Sequence, residues 1–126
     1  VAWGAVRLEP VWMMTGEAAG LATALSKKQG TTPGKLDADL LVRALCEKRH
    51  FVSFFNDLTV TDPDPSVAAA QYFGTKGFFG NYNARLGEPL SKAVDELWAE
   101  GLARLDSGTL DPNDLAARVH RAESAR

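Results

Sequence analysis

Apolar residues recur along most of this chain at helical spacing. Ala18, Leu21, Ala22 and Leu25 fall at i, i+3, i+4 and i+7, which predicts one buried face of a helix over residues 16–29, with Gly30 as its stop. Thr32-Pro33 reads as a cap followed by a first-position proline, opening a short turn. Asp37 caps a second helix reaching about Lys48, with Leu40, Leu41, Ala44 and Leu45 on its inner side. The stretch HFVSFFNDL, His50 to Leu58, is too apolar for a loop and has no helical period. It predicts an extended segment packed on the helices, with Phe51 buried between two subregions. Asp64-Pro65 starts a third helix whose end is bracketed by Gly74 and Gly77, and Ser91 caps a fourth with the stripe Val94, Leu97, Trp98, Gly101, Leu102 and Leu105. Asp111-Pro112 starts a short last helix, polar enough to fray after Ala117.

The opening VAWGAVRLEP shows no helical period, and Pro10 argues against one, so these residues read as an extended lead-in. The predicted fold class is therefore mostly α: about five helices, an extended N-terminal lead-in and a helix–loop–helix second half. Tyr72, Phe73, Phe79, Leu97, Trp98 and Leu102 are the expected core of that second half. No repeat or low-complexity linker interrupts the chain, and the Pro/Asp cluster from Thr61 to Pro65 is its best internal joint.

Within the first predicted helix two glycines, Gly16 and Gly20, stand where alanine would be more stable by roughly 1 kcal/mol each. Two explanations present themselves. A helix beginning Gly-x-Ala-Ala-Gly offers unpaired N–H groups and about half a positive charge, and its small residues let a large planar or anionic ligand meet the backbone. Alternatively the small residues only allow close helix packing.

Composition narrows the function classes. A chain of 126 residues with 45% hydrophobic and 24% charged residues suits one soluble-type unit with a real core. The 14 basic and 16 acidic residues give a formal charge of −2, with only short basic pairs such as Lys27-Lys28, so there is no basic surplus for nucleic acid or anionic membrane. No apolar run approaches the ~20 residues of a membrane span, and no signal peptide is evident. The start, Val-Ala-Trp-Gly, reads as that of a piece of a longer polypeptide.

Candidate chemistry is sparse. Cys46, the single cysteine, excludes an internal disulfide and reads as an inert thiol off the apolar side of its helix. His50 and His120 belong to no ligand-spaced set, and no metal site is expected. Asp62-Pro63-Asp64 resembles the start of a calcium loop, but Val67 replaces the required glycine and Phe73 the bidentate glutamate, so the aspartates read as helix caps. No nucleophile elbow, phosphate loop or dinucleotide GxGxxG occurs.

Arg7-Leu8-Glu9-Pro10, followed after five residues by Gly16-Glu17-Ala18-Ala19-Gly20 and an alanine-rich helix, resembles the C-terminal end of FAD-dependent oxidoreductases. Gly30-x-x-Pro33 before Leu36-Asp37 and the Leu-rich second helix extend the likeness over about the first 50 residues. The resemblance implies that backbone amides around Gly16, Glu17, Ala18 and Ala19 sit against the pyrimidine end of FAD and stabilise the negative charge that builds up on reduction. It also makes Arg7 and Glu9 candidates for the substrate side. Since the nucleotide-binding unit is absent from these residues, the resemblance implies a C-terminal portion that binds FAD only within a full-length protein, with the remainder of the parent flavoenzyme as partner and no turnover alone. Residues 1–54 are then the tail of the FAD-binding domain.

Residues 55–126 carry a second likeness. Phe55-Asn56-Asp57-Leu58, Ala69-Ala70, Lys76-Gly77-Phe78-Phe79-Gly80-Asn81-Tyr82 and Pro89-Leu90-Ser91-Lys92-Ala93 resemble one S-layer homology module, a helix–loop–helix unit. The loop after Tyr82 is shorter than in that family, Val94 stands where an acidic residue is expected, and such modules come in threes. That likeness implies a non-catalytic cell-surface module that binds cell-wall polysaccharide. Phe73, Phe78, Phe79, Tyr82 and Trp98 are then either an aromatic sugar platform or a small hydrophobic core.

Overall fold

A computed structural model describes residues 9–125 of the chain. Among them lie five α-helices, one 3-10 turn and no strand. The helices are α1 (Glu9–Gln29), α2 (Ala38–Glu47), α3 (Ser66–Thr75), α4 (Lys92–Asp106) and α5 (Pro112–Ser124), with the 3-10 turn at Pro33–Lys35 between α1 and α2. The chain divides into two compact units at Leu45/Cys46, ahead of both the domain boundary expected between Phe54 and Phe55 and the joint expected at Thr61–Pro65.

In the first unit α1 is longer than its sequence predicts. It starts at Glu9 and takes in Pro10, because the first turn of a helix has no intrahelical acceptor for its N–H groups and loses nothing to a proline. Residues 1–8, the bulk of the expected extended lead-in, lie outside the described residues. The helix ends where glycine was expected to end it. Gly30 adopts φ +65°, Thr31 N–H donates to the Ser26 carbonyl (2.9 Å) and Gly30 N–H to that of Lys27 (3.2 Å), a left-handed cap that satisfies two otherwise orphaned carbonyls. Ala18, Leu21, Ala22 and Leu25 are the less exposed face of the helix, as their spacing requires, and Ser26 beside them is buried with its hydroxyl donated to the Ala22 carbonyl. Asp37 caps α2 by accepting the Asp39 N–H at 2.8 Å.

The second unit is a helix–loop–helix followed by α5. Its core is Phe78, Val94, Leu115 and Val119, all at most 3% exposed, with Phe73, Phe79, Leu97 and Trp98 packed on it. Trp98 meets Phe78 and Phe79 edge-on at 5.5 Å each and donates its indole N–H to the Phe78 carbonyl, so a polar atom taken out of water keeps a partner. Helices α4 and α5 pack together at Gly101. A Cβ there would stand 2.8 Å from Leu115 Cδ2 and 3.1 Å from Phe78, so only glycine lets the leucine and the ring close over α4. Ser91 caps α4 and Asp111 caps α5, each side chain accepting a first-turn N–H.

Three expectations fail in this unit. Helix α5 does not fray after Ala117 but runs to Ser124, because Val119 is fully buried and Arg118 makes a two-pronged ion pair with Glu100 of α4. Leu102 is 43% exposed: it sits beside the buried stripe rather than on it. Phe51 is also exposed, at 45%, so it is not the buried tie between subregions. What is buried from its segment is Phe55, edge-on to Phe79 at 4.9 Å.

Candidate functional site

Of the residues expected to face flavin or substrate, Arg7 lies outside the described residues, and Glu9 is exposed in the first turn of α1. Gly16, Glu17, Ala18 and Ala19 lie well inside the helix. Their expected role required free N–H groups at a helix start, and that feature is corrected here: with the helix beginning at Glu9, amides this far along are bonded to carbonyls one turn back, and the open donors belong to the first turn.

What the stretch does present is bare backbone. A Cβ built at Gly16 or Gly20 meets nothing within 4 Å among the described residues, so neither glycine is required by a neighbour. Around them Trp12, Met13 and Met14 are 59%, 74% and 44% exposed. Three consecutive positions on a helix spread over most of its circumference, so the apolar surface here is not a single stripe. A flavin needs enclosure on several sides and a phosphate cradle. The residues of α1 fit one wall of such a site and do not form a whole one.

The second unit sorts the aromatic residues differently from the platform expectation. Phe73, Phe78, Phe79 and Trp98 belong to the core, and of the five rings only Tyr82 stands largely free, at 67% exposure. Its neighbours are two rings the platform did not include: Phe54 lies edge-on to Tyr82 at 5.7 Å, and Phe51 edge-on to Phe54 at 6.2 Å.

Polar groups in this unit act on the chain itself. Asp57 accepts the backbone N–H groups of Ala84 and Arg85, both at 2.8 Å. Desolvation pushes its carboxyl up, but those two N–H bonds and the Arg85 charge outweigh it, and the net shift is below the ordinary aspartate value. Asp64 accepts both the N–H and the hydroxyl of Ser66, the first residue of α3, whereas Asp62 accepts only the Asp64 N–H before the helix. The cap position itself is Pro65, which has no side-chain acceptor, so the capping expected of both aspartates is reduced to the Asp64 contact. These aspartates border an open cleft of about 510 Å³ with Glu88 and Arg85, and among the described residues no group of three His, Cys, Asp or Glu side chains is placed to hold a metal ion. Cys46 is buried rather than off the apolar side of its helix, and burial raises its thiol pKa, which disfavours the reactive thiolate. His120 is exposed, with Nδ1 2.9 Å from the Gly80 carbonyl.

Sequence reasoning passed over one buried polar side chain. Gln71 is 1% exposed, and its Oε1 accepts the backbone N–H groups of both Val52 (2.8 Å) and Ser53 (2.7 Å). The available signal was its place as the lone strongly polar residue in the run VAAAQYF.

The family model described as FAD dependent oxidoreductase matches residues 1–45. That stretch ends at the same residue as the first compact unit, and residues 46–126 lie outside the match. The resemblance read from the motif of Arg7 to Gly20 therefore has support from an independent comparison over the first unit, whereas the likeness to an S-layer homology module has none. Neither the curated proteins nor the solved structures contain a match to this chain.

Proposed function

We propose that the first unit is the tail of the FAD-binding domain of an FAD-dependent oxidoreductase, and that α1 becomes one wall of the flavin site only when the remainder of the parent enzyme surrounds it. The observation that carries this reading is the pair of unexplained glycines. Each costs roughly 1 kcal/mol in a helix interior, yet neither has a close neighbour among the described residues. Together with Trp12, Met13 and Met14 they make a helix surface suited to burial rather than to water. A planar ring system lying flat against Gly16, Ala19 and Gly20 needs that bareness. Glu17 and Ala18 belong to the same stretch, and Arg7, together with Glu9 in the first turn of α1, remains proposed for the substrate side.

FAD would supply the hydride-accepting chemistry. The part assigned to this chain is to shape and exclude water from one side of the ring, so the chain alone is not catalytic. The test is Gly16→Val in the full-length parent, which places a branched side chain against the ring. The expected result is purified protein with most of its visible flavin absorbance lost. Full yellow colour and full activity in that variant would overturn the reading in favour of simple helix packing.

A cell-wall glycan role for the second unit has a weaker basis. Most of the rings that a sugar platform would use serve its core, which favours a helical packing module.

A further inference from the structure

The segment after α2 is held in an unusual way. Among the described residues no backbone–backbone hydrogen bond reaches residues 51–55; the first is Asn56 N–H to the Tyr82 carbonyl, at 2.7 Å. Instead the Val52 and Ser53 amides converge on the single Oε1 of Gln71, and the Ser53 hydroxyl donates to the Gln71 main-chain carbonyl at 2.9 Å. Hydrophobic burial adds little before Phe55, since Phe51 and Phe54 are exposed and Phe54 meets only the edge of the exposed Tyr82 ring at 5.7 Å. Its next firm point is Phe55, buried against Phe79. Space for the contact comes from α3 itself: a Cβ at Gly74 would stand 2.5 Å from Ser53 Oγ, so the helix carries glycine where the segment crosses it.

Gln71 is also an expensive way to fill this position. Its Nε2 is buried with no partner, a state that methionine or leucine of similar size would avoid. A side chain kept for its acceptor oxygen, at the cost of an unmatched donor, is a fastener rather than filler.

We propose that Gln71 is a latch holding residues 51–54 as a strap that opens by itself, with Phe55 as the stop, while the helical core of the second unit stays folded. Segments with few buried apolar contacts and few backbone hydrogen bonds open at lower free energy than the core, and here both conditions meet at Val52 and Ser53. Release of that side chain frees both amides and leaves Ser53 held by its hydroxyl alone.

Amide hydrogen exchange on the full 126-residue chain tests this, comparing the parent with Gln71→Met, which keeps length and volume but has no acceptor for the two amides. The latch predicts exchange at positions 52 and 53 about tenfold faster, with the Val94 and Val119 amides at parental rates. Chymotrypsin should then cut sooner after Phe51 or Phe54. Unchanged exchange at 52 and 53 would overturn the proposal, as would equal acceleration at Val94 and Val119, since the strap would then be an inseparable part of the core. Should Gln71→Met fail to fold, Ser53→Ala removes only the hydroxyl bond. It should accelerate the same two positions by about threefold and leave Val94 and Val119 unchanged, and a uniform or absent response overturns the latch equally.

Discussion

Gly16 separates stability from its proposed flavin-facing role at a single residue. Nothing among the described residues stands near its Cβ position, which lies in a helix interior, so Gly16→Ala should stabilise the isolated chain by about 0.5–1 kcal/mol through lower unfolded-state entropy and better helix propensity. Denaturant titration reads this directly, and a destabilised variant would reveal an unseen close neighbour. Trp98 marks the opposite case. Its ring is packed on the core and its indole N–H is paired, so Trp98→Ala should cost about 3 kcal/mol or more and lower the thermal midpoint markedly. Phe51→Ala removes an exposed ring and should change stability by less than about 1 kcal/mol. Comparable losses for the two would contradict the burial pattern. The periodicity that singled out Trp98 was sound. Phe51 departs from its expected burial because an apolar residue without a helical period says only that it is apolar, not which way a loop turns it.

Segment ends followed their local chemistry, while segment lengths did not. Gly30 and Gly77 terminate α1 and α3 at φ +65° and +80°, and Ser91 and Asp111 cap α4 and α5, all legible because each signal is carried by one or two adjacent residues. By contrast α5 outruns its predicted end because Leu115 and Val119 meet α4 and Arg118 meets Glu100, contacts made with residues far off in sequence. The Asp57 clasp on Ala84 and Arg85 is another long-range contact, and it predicts acid sensitivity. Its folded pKa is lowered, so its contribution is complete above the ordinary aspartate range and is lost as pH falls through the lower folded value. Replacing Asp57 by Asn leaves a neutral acceptor for one N–H. Plotted against pH, unfolding free energy should therefore fall less steeply below pH ~4 in that variant than in the parent. Parallel curves would assign the acid loss to other carboxylates.

At the scale of the whole molecule, the division at Leu45/Cys46 and the family match ending at residue 45 confine the similarity to FAD-dependent oxidoreductases to the first unit. Titrating FAD calorimetrically into the isolated 126 residues should give no binding in the low micromolar range, because one helix face lacks the phosphate cradle that most of the affinity requires. A tight stoichiometric complex would refute that. The sequence by itself determined the helical class, the caps and stops, the apolar stripes and the motif of Arg7 to Gly20, since each rests on neighbours along one chain. Only the tertiary structure decided that α1 begins at Glu9, that Gly16 and Gly20 have no close neighbour among the described residues, that Phe78 rather than Leu102 enters the core, and that Gln71 holds residues 52 and 53. Those outcomes depend on which surfaces meet after the chain has folded, and hydrophobic periodicity records a residue's tendency to be buried without naming what will bury it.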